Sequence, residues 1–565
     1  MKWWTFVLLF CVTAVLADED WLDVTIAQGP VRGHIHPSGG LYAFYNIPYA
    51  TAPVGESRFK APLPAPTWSE PFEATGTKNV VCPQHKYMID LGSEAKDDCL
   101  VANVFVPNTP ERNLSVLVYV HGGAFVSGYG NLYQGTQFMK EKKDFIMVTF
   151  NYRLAIHGFL CLGTEDVPGN AGMKDQVALL RWVQKNIASF GGNPNDVTLV
   201  GSSAGSASVD LLMLSKSAEG LFHRVVPESG ANLAAFSIQR DPLEIAKTFA
   251  KDQNVANVDD IDALEHFYKT ASMDLLTSDM FESRTDSTFM FSPCVERDTD
   301  RAFLTESPLT TLKNGNYKKI PLLYGFANME GLVRIEFFDI WKKKMNEKFS
   351  DFLPADLKFD SDEEREEVAN KVKTFYFGES PVSYDNILKF VDFFSDVLFT
   401  FPMLWALKLH VKAGHDQVYL YEYSFVDEND PVVPQTDVRG ADHCAQSFAW
   451  LNDLGRNVTA TPEFLKMRAT VRELWHNFMK TGKPVPEGSS LLPWPAAGAN
   501  RSPHMVLDEE LILGGVLLED RTRFWEEIYE KYYRDAIPPR SGAGSKAPKN
   551  IFNLFILYVL FYFTK

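Results

Sequence analysis

Cysteine is scarce in this 565-residue chain, which has only Cys11, Cys82, Cys99, Cys161, Cys294 and Cys444. No two are spaced C-x-x-C and no clustered Cys/His spacing suggests a metal site. Basic residues are also in deficit: 55 Lys and Arg stand against 72 Asp and Glu, a formal charge of −17. That acidity argues against nucleic acid and against anionic lipid surfaces as partners. No internal repeat is visible, and no Pro/Ser/Gly-rich stretch interrupts the chain before its last thirty residues. The expectation is one long α/β unit over residues 18–537, large enough to bury a core that needs no disulfides.

The two ends read as signals rather than as fold. Lys2 precedes the apolar run Trp3 to Leu16, which is shorter than the ~20 residues a bilayer requires. Val15 and Ala17 then supply a small-residue cleavage site, so residues 1–17 read as a signal peptide and the mature chain starts at Asp18. Near the other end, the small residues Ser541 to Ser545 and a polar spacer, Lys546 to Asn550, lead into the apolar tail Ile551 to Phe563. This is the pattern of a glycosylphosphatidylinositol (GPI) anchor signal attached near Ser541, with 538–550 as linker and 551–565 removed. Cleavage after residue 17 and at Ser541 removes residues 1–17 and 542–565, and with them Lys2, Lys546, Lys549 and Lys565, which brings the formal charge to −21.

Cys11 leaves with the signal peptide, and five cysteines remain. In an oxidising compartment that odd number implies at least one disulfide and at least one unpaired thiol. Cys82 and Cys99 bracket a polar loop and are the natural pair; Cys161, Cys294 and Cys444 are left open. Three glycosylation sequons, at Asn113, Asn457 and Asn500, fit a secretory route. Pro503 follows the last of them.

Several runs are apolar without alternation: Ser115 to Val120, Phe145 to Phe150, Val197 to Val200, Ile320 to Tyr324 and Val418 to Tyr423. Strands of that kind belong to a sheet covered on both faces. Met173, Val177, Leu180, Val183 and Ile187 recur at helical spacing before Gly191-Gly192, and strands alternating with helices predict a mostly parallel sheet. The first hundred residues, rich in Pro and Gly, read as an irregular antiparallel start. The acidic run Asp360 to Glu367 reads as a solvated helix face.

One segment carries chemistry. An apolar strand ends at Val200, Gly201-Ser202-Ser203-Ala204-Gly205 follows, and an apolar helix begins. G-x-S-x-G alone is weak, expected about 0.2 times by chance in a chain of this length. Between a strand and a helix it reads as a nucleophile elbow that lifts Ser203 from the sheet at a helix N-terminus. The turn His121-Gly122-Gly123-Ala124 follows a strand, and the N–H groups of Gly122, Gly123 and Ala204 fit an oxyanion hole. A serine nucleophile needs a base, and the base needs an orienting acid. His443 and Glu330 fill those roles in the order serine, acid, histidine.

With these segments on hand, the chain resembles the type-B carboxylesterase/lipase family, the group that includes cholinesterases and many animal carboxylesterases. The resemblance spans nearly all of residues 24–535. It is carried also by Phe44 to Ala50, Pro53-Val-Gly55, Arg58-Phe59, Asp97 to Val104, Gly169 to Gln176 and Phe190 to Pro194. It implies an α/β-hydrolase fold with helices on both faces, a Ser203–His443–Glu330 triad, the Gly122/Gly123/Ala204 oxyanion hole and a Cys82–Cys99 disulfide. It implies small to medium carboxylic esters as substrates, with no cofactor. Ser229 matches a family serine lying behind the triad. Two departures stand out: Ser202 replaces the usual Glu before the nucleophile, and Ala445 and Gln446 replace acidic residues after the histidine. The Cys82–Cys99 loop lacks the Trp with which cholinesterases hold quaternary ammonium, which argues against that activity. The family also has catalytically dead adhesion ectodomains, an alternative that a surface tether would suit; oligomeric state is left open.

Overall fold

Apolar runs without alternation form the middle of a single sheet. The structure is a computed structural model that describes residues 20–76, 79–85, 93–278, 284–451 and 460–539. Both terminal signals, including Ser541, and the sequon at Asn457 lie outside these residues. In chain order the main strands are β1 (Trp21–Ile26), β2 (Gly29–Ile35), β3 (Leu41–Pro48), β4 (Val101–Pro107), β5 (Leu114–Val120) and β6 (Phe145–Phe150). They continue as β7 (Gly192–Ser202), β8 (Arg224–Glu228), β9 (Leu322–Ala327), β10 (Val418–Tyr423), β11 (His504–Leu507) and β12 (Leu511–Gly514). Across the sheet they lie as β1-β2-β3-β4-β6-β5-β7-β8-β9-β10-β11-β12, with the short strand Phe72–Glu73 added beside β2.

The predicted parallel sheet is its centre: every neighbouring pair from β6 to β11 is parallel. The N-terminal strands are antiparallel, as expected, and β12 closes the far edge antiparallel to β11. Parallel strands need long crossovers, and two are α1 (Ala171–Asn186), which leads from β6 past β5 to β7, and α2 (Ala204–Leu214), between the neighbours β7 and β8. Every residue of β5, β6 and β9 is buried. Along β5, Val116 and Val118 join one apolar cluster while Leu117 and Tyr119 join another on the opposite face. Both faces are therefore covered, and this is why the strands carry no polar alternation.

Most predicted boundaries hold to within a residue, and two are corrected. The expected Val197–Val200 is the core of the longer β7, and the expected Ile320–Tyr324 starts at Leu322 and runs to Ala327. Pro321 has no N–H for the ladder, which explains the later start. The acidic run does enter a helix, α3 (Asp362–Phe377). Ser361 caps it by accepting the Glu364 N–H, with three acids favourably placed in the first turn and Val368, Val372 and Tyr376 on the buried side.

The segment Tyr384–Lys412 is long and apolar enough to cross a bilayer, yet most of it is buried within the globule. It comprises α4 (Ile387–Ser395), a π turn (Asp396–Thr400) and α5 (Phe401–Lys412). Pro402 cannot donate to the carbonyl four residues back, and the helical ladder slips just before it. Two later helices, α6 (Ala445–Leu451) and α7 (Pro462–Thr481), pack Trp450, Trp475 and Phe478 on the cluster that includes Tyr119.

The expected Cys82–Cys99 disulfide is present, and a second joins Cys161 to Cys294. Cys444 is a buried free thiol.

Candidate active site

The elbow is a steric necessity. Ser203 caps α2 with φ 57 and ψ −123, a conformation that costs a non-glycine residue energy and persists only where its surroundings enforce it. A Cβ on Gly205 would lie 2.1 Å from the Val120 carbonyl oxygen, and one on Gly201 would lie 2.3 Å from that of Gly205. Only glycine fits either position. The Ser203 N–H donates to the carbonyl oxygen of Glu228, at the end of β8, at 2.9 Å. The N–H of Ala204, in the first helical turn, has no intrahelical acceptor.

The glycine turn after β5 lies directly against this serine. A Cβ on Gly122 would be 3.0 Å from Ser203 Cβ and 2.7 Å from the Ser202 carbonyl oxygen. Gly123 follows at φ 106. His121 holds the turn: its Nδ1–H donates to the Gly122 carbonyl at 2.8 Å, and its ring stacks on Tyr152 at 4.4 Å. The Tyr152 hydroxyl donates back to the His121 carbonyl at 2.9 Å. Burial lowers the His121 pKa to about 4, so the ring stays neutral. Sequence reading took His121 only as part of the motif and missed this bracing role.

Glu330 and His443, 113 residues apart in sequence, meet through two interlocked loops. Met329 N–H donates to the Ala441 carbonyl, and Ala441 N–H donates to Asn328 Oδ1, each at 3.0 Å. The Glu330 carboxylate, fully buried after β9, accepts from the Ala327 N–H at 2.8 Å and the Ser229 hydroxyl at 2.5 Å through Oε1. Its Oε2 accepts the Nδ1–H of His443 at 2.5 Å. That bond fixes the imidazole tautomer and leaves Nε2 as the basic nitrogen. The Phe399 ring, presented by the π turn, stacks on His443 at 4.2 Å. π turns recur at functional sites, and the local sequence marks this one only by Pro402.

Burial disfavours the His443 imidazolium, but the hydrogen-bonded Glu330 carboxylate stabilises it, and the pKa lies above the usual 6.5. Burial raises the Cys444 thiol, which therefore stays neutral near pH 7.

The departures from the family pattern have visible contacts. The Ser202 hydroxyl pairs with that of Tyr119 at 2.8 Å. Gln446 Nε2 donates to the Ser229 hydroxyl at 2.7 Å, so it braces the acid through one intermediary. Glu228, which the sequence reading did not single out, is fully buried beside the elbow. It accepts from Ser447 Oγ at 2.6 Å, Trp475 Nε1 at 2.8 Å and Trp450 Nε1 at 3.1 Å. A cavity of about 790 Å³ opens against His443, walled by Leu332, Phe425, Val433, Phe448 and Phe464 among others. Among the described residues no cluster of ligating side chains could hold a metal. Asn113 and Asn500 are both exposed.

A family model described as "Carboxylesterase family" matches residues 21–525. Venom carboxylesterase-6 of Apis mellifera is 32% identical over 508 residues, 86% of this chain and 89% of that protein. Juvenile hormone esterase of Heliothis virescens is 31% identical over 526 residues, 86% of this chain and 91% of the relative. Among solved structures, the juvenile hormone esterase of Manduca sexta with OTFP covalently attached superposes with a TM-score of 0.78 at 28% identity. That match covers 90% of this chain and all of the other.

Proposed function

We propose, for a chain that belongs to the carboxylesterase family and is a serine hydrolase of carboxylic esters, that Ser203 is its nucleophile, His443 its base and Glu330 the orienting acid. The observation that carries the assignment is the Glu330–His443 hydrogen bond, formed beside an elbow whose glycines leave no room for a Cβ. Ser203 Oγ attacks the ester carbonyl as Nε2 of His443 takes its proton. The N–H groups of Gly122, Gly123 and Ala204 receive the developing oxyanion. The tetrahedral intermediate collapses, His443 protonates the departing alcohol, and an acyl-serine remains. Water, deprotonated by the same imidazole, then releases the acid. The cavity beside His443, walled by apolar side chains together with Asp427, Asp430, Asp442 and Arg468, has room for an ester of small to medium size. Ser203→Ala should lower kcat by about a thousandfold or more without loss of fold. Wild-type-like hydrolysis by that variant would refute the assignment. The adhesion alternative gains no support, because all three triad residues are present.

The same proposal extends to location. Two disulfides suit an oxidising compartment. The leader at residues 1–17 and exposed Asn113 and Asn500 support a glycosylated, secreted domain over residues 18–537, with Asn457 a third acceptor. The C-terminal pattern supports attachment to the outer leaflet through a GPI anchor near Ser541.

A further inference from the structure

We propose that Glu228 is a positioning residue of the ester-hydrolysing site, setting the spacing between the Ser203 elbow and the segment that carries His443. The inference rests on the triad assignment above and adds a residue to it. The family resemblance puts acidic side chains before the nucleophile and after the histidine, and this chain has Ser202, Ala445 and Gln446 there instead. On the neighbouring strand, in direct register with Ser202, stands Glu228.

Its two halves hold two different parts of the site. The main-chain carbonyl of Glu228 accepts the N–H of Ser203 at 2.9 Å. Its side chain accepts from Ser447 at 2.6 Å, on the helix that starts two residues after His443, and from the indole of Trp450 on the same helix at 3.1 Å. Trp475 of α7 supplies the third donor at 2.8 Å. The next residue repeats the pattern: Ser229 donates to Glu330 and accepts from Gln446. Residues 228–229 thus engage residues 446–447 as two adjacent rungs, with the nucleophile's backbone on one side and the base on the other. A dedicated acceptor is needed here because indole N–H groups only donate.

The same geometry separates hydrogen bonding from charge. Burial pushes Glu228 up to about 7, against the three donors. Either protonation state satisfies the cage, because the Ser447 hydroxyl can donate or accept. Glutamine also fits: its Oε1 accepts both indoles and its amide N–H donates to Ser447 Oγ.

The test measures kcat, KM and the rate of labelling by a fluorophosphonate probe in Glu228→Ala, Glu228→Gln, Ser447→Ala and Ser203→Ala. Because a misplacement of about 1 Å can cost a hundredfold, Glu228→Ala should lose about 30- to 100-fold in kcat with KM within about threefold. Glu228→Gln should recover to within about threefold of wild type, the rescue that a positioning role requires. Ser447→Ala removes one donor without touching the sheet and should cost about fivefold in kcat, which keeps the test decisive if Glu228→Ala does not fold. The proposal is overturned by a Glu228→Ala or Ser447→Ala enzyme with wild-type kcat, or by a Glu228→Gln enzyme as slow as Glu228→Ala. Failure of the triad assignment has a separate signature, undiminished labelling of Ser203→Ala.

Discussion

With His443 as the proposed base, its ionisation decides when the enzyme works. Its raised pKa means that the resting imidazole holds a proton to higher pH than a free histidine does. Only the neutral ring can accept the Ser203 proton, so kcat/KM should fall as pH drops through a limb whose midpoint lies above ~6.5. A midpoint below 6.5, or a flat profile between pH 5 and 8, contradicts this. Glu330→Gln removes the charge that stabilises the imidazolium; it should move the limb down and lower kcat by about a hundredfold or more. At this scale the sequence was readable where the chemistry is local, as at Ser203, Ala204, Gly122 and Gly123. It was silent on Glu228, whose partners Ser447, Trp450 and Trp475 lie more than 200 residues away in the chain. It was equally silent on Phe399, a phenylalanine in an apolar helix until folding lays it on His443.

Among the elements, the strand–turn–helix from β7 to α2 has little tolerance. Gly205→Ala forces a Cβ to within 2.1 Å of a backbone oxygen. It should destabilise the domain by more than ~2 kcal/mol and largely abolish turnover, read by thermal unfolding and ester hydrolysis together. A stable, active Gly205→Ala enzyme would mean that the turn can relax. The central strands were legible because burial on both faces leaves an unmistakable apolar run, and α1 because its apolar residues keep helical spacing. The late start of β9 follows from Pro321 once the strand is known. The π turn is different, for it depends on how Pro402 interrupts a helix already packed in the core.

For the molecule as a whole, cross-links and ends matter most. The Cys161–Cys294 bridge closes a loop of 133 residues, and chain entropy gives such a loop a ceiling of about 5 kcal/mol, with 2–5 kcal/mol the usual loss. The double variant Cys161→Ser/Cys294→Ser should therefore show a clearly lower Tm, whereas an unchanged Tm would deny the bridge a stabilising role. The sequence left this pair open because only the fold brings the two cysteines together. At the C-terminus, Pro539 still touches the globule, its carbonyl accepting from Arg297 at 3.3 Å, so little spacer would separate the domain from an anchor near Ser541. Phosphatidylinositol-specific phospholipase C should release the esterase from intact cells. Retention together with peptides from beyond Lys549 would instead indicate a hydrophobic tail that stays.

Acylation of Ser203 is read most directly by rapid-quench mass spectrometry of the enzyme mixed with excess p-nitrophenyl acetate. The proposed mechanism predicts a burst of p-nitrophenol and, on the same timescale, a peptide carrying one acetyl group on Ser203. A burst with the acetyl group on another residue, or steady turnover without any acyl-enzyme at Ser203, would contradict it.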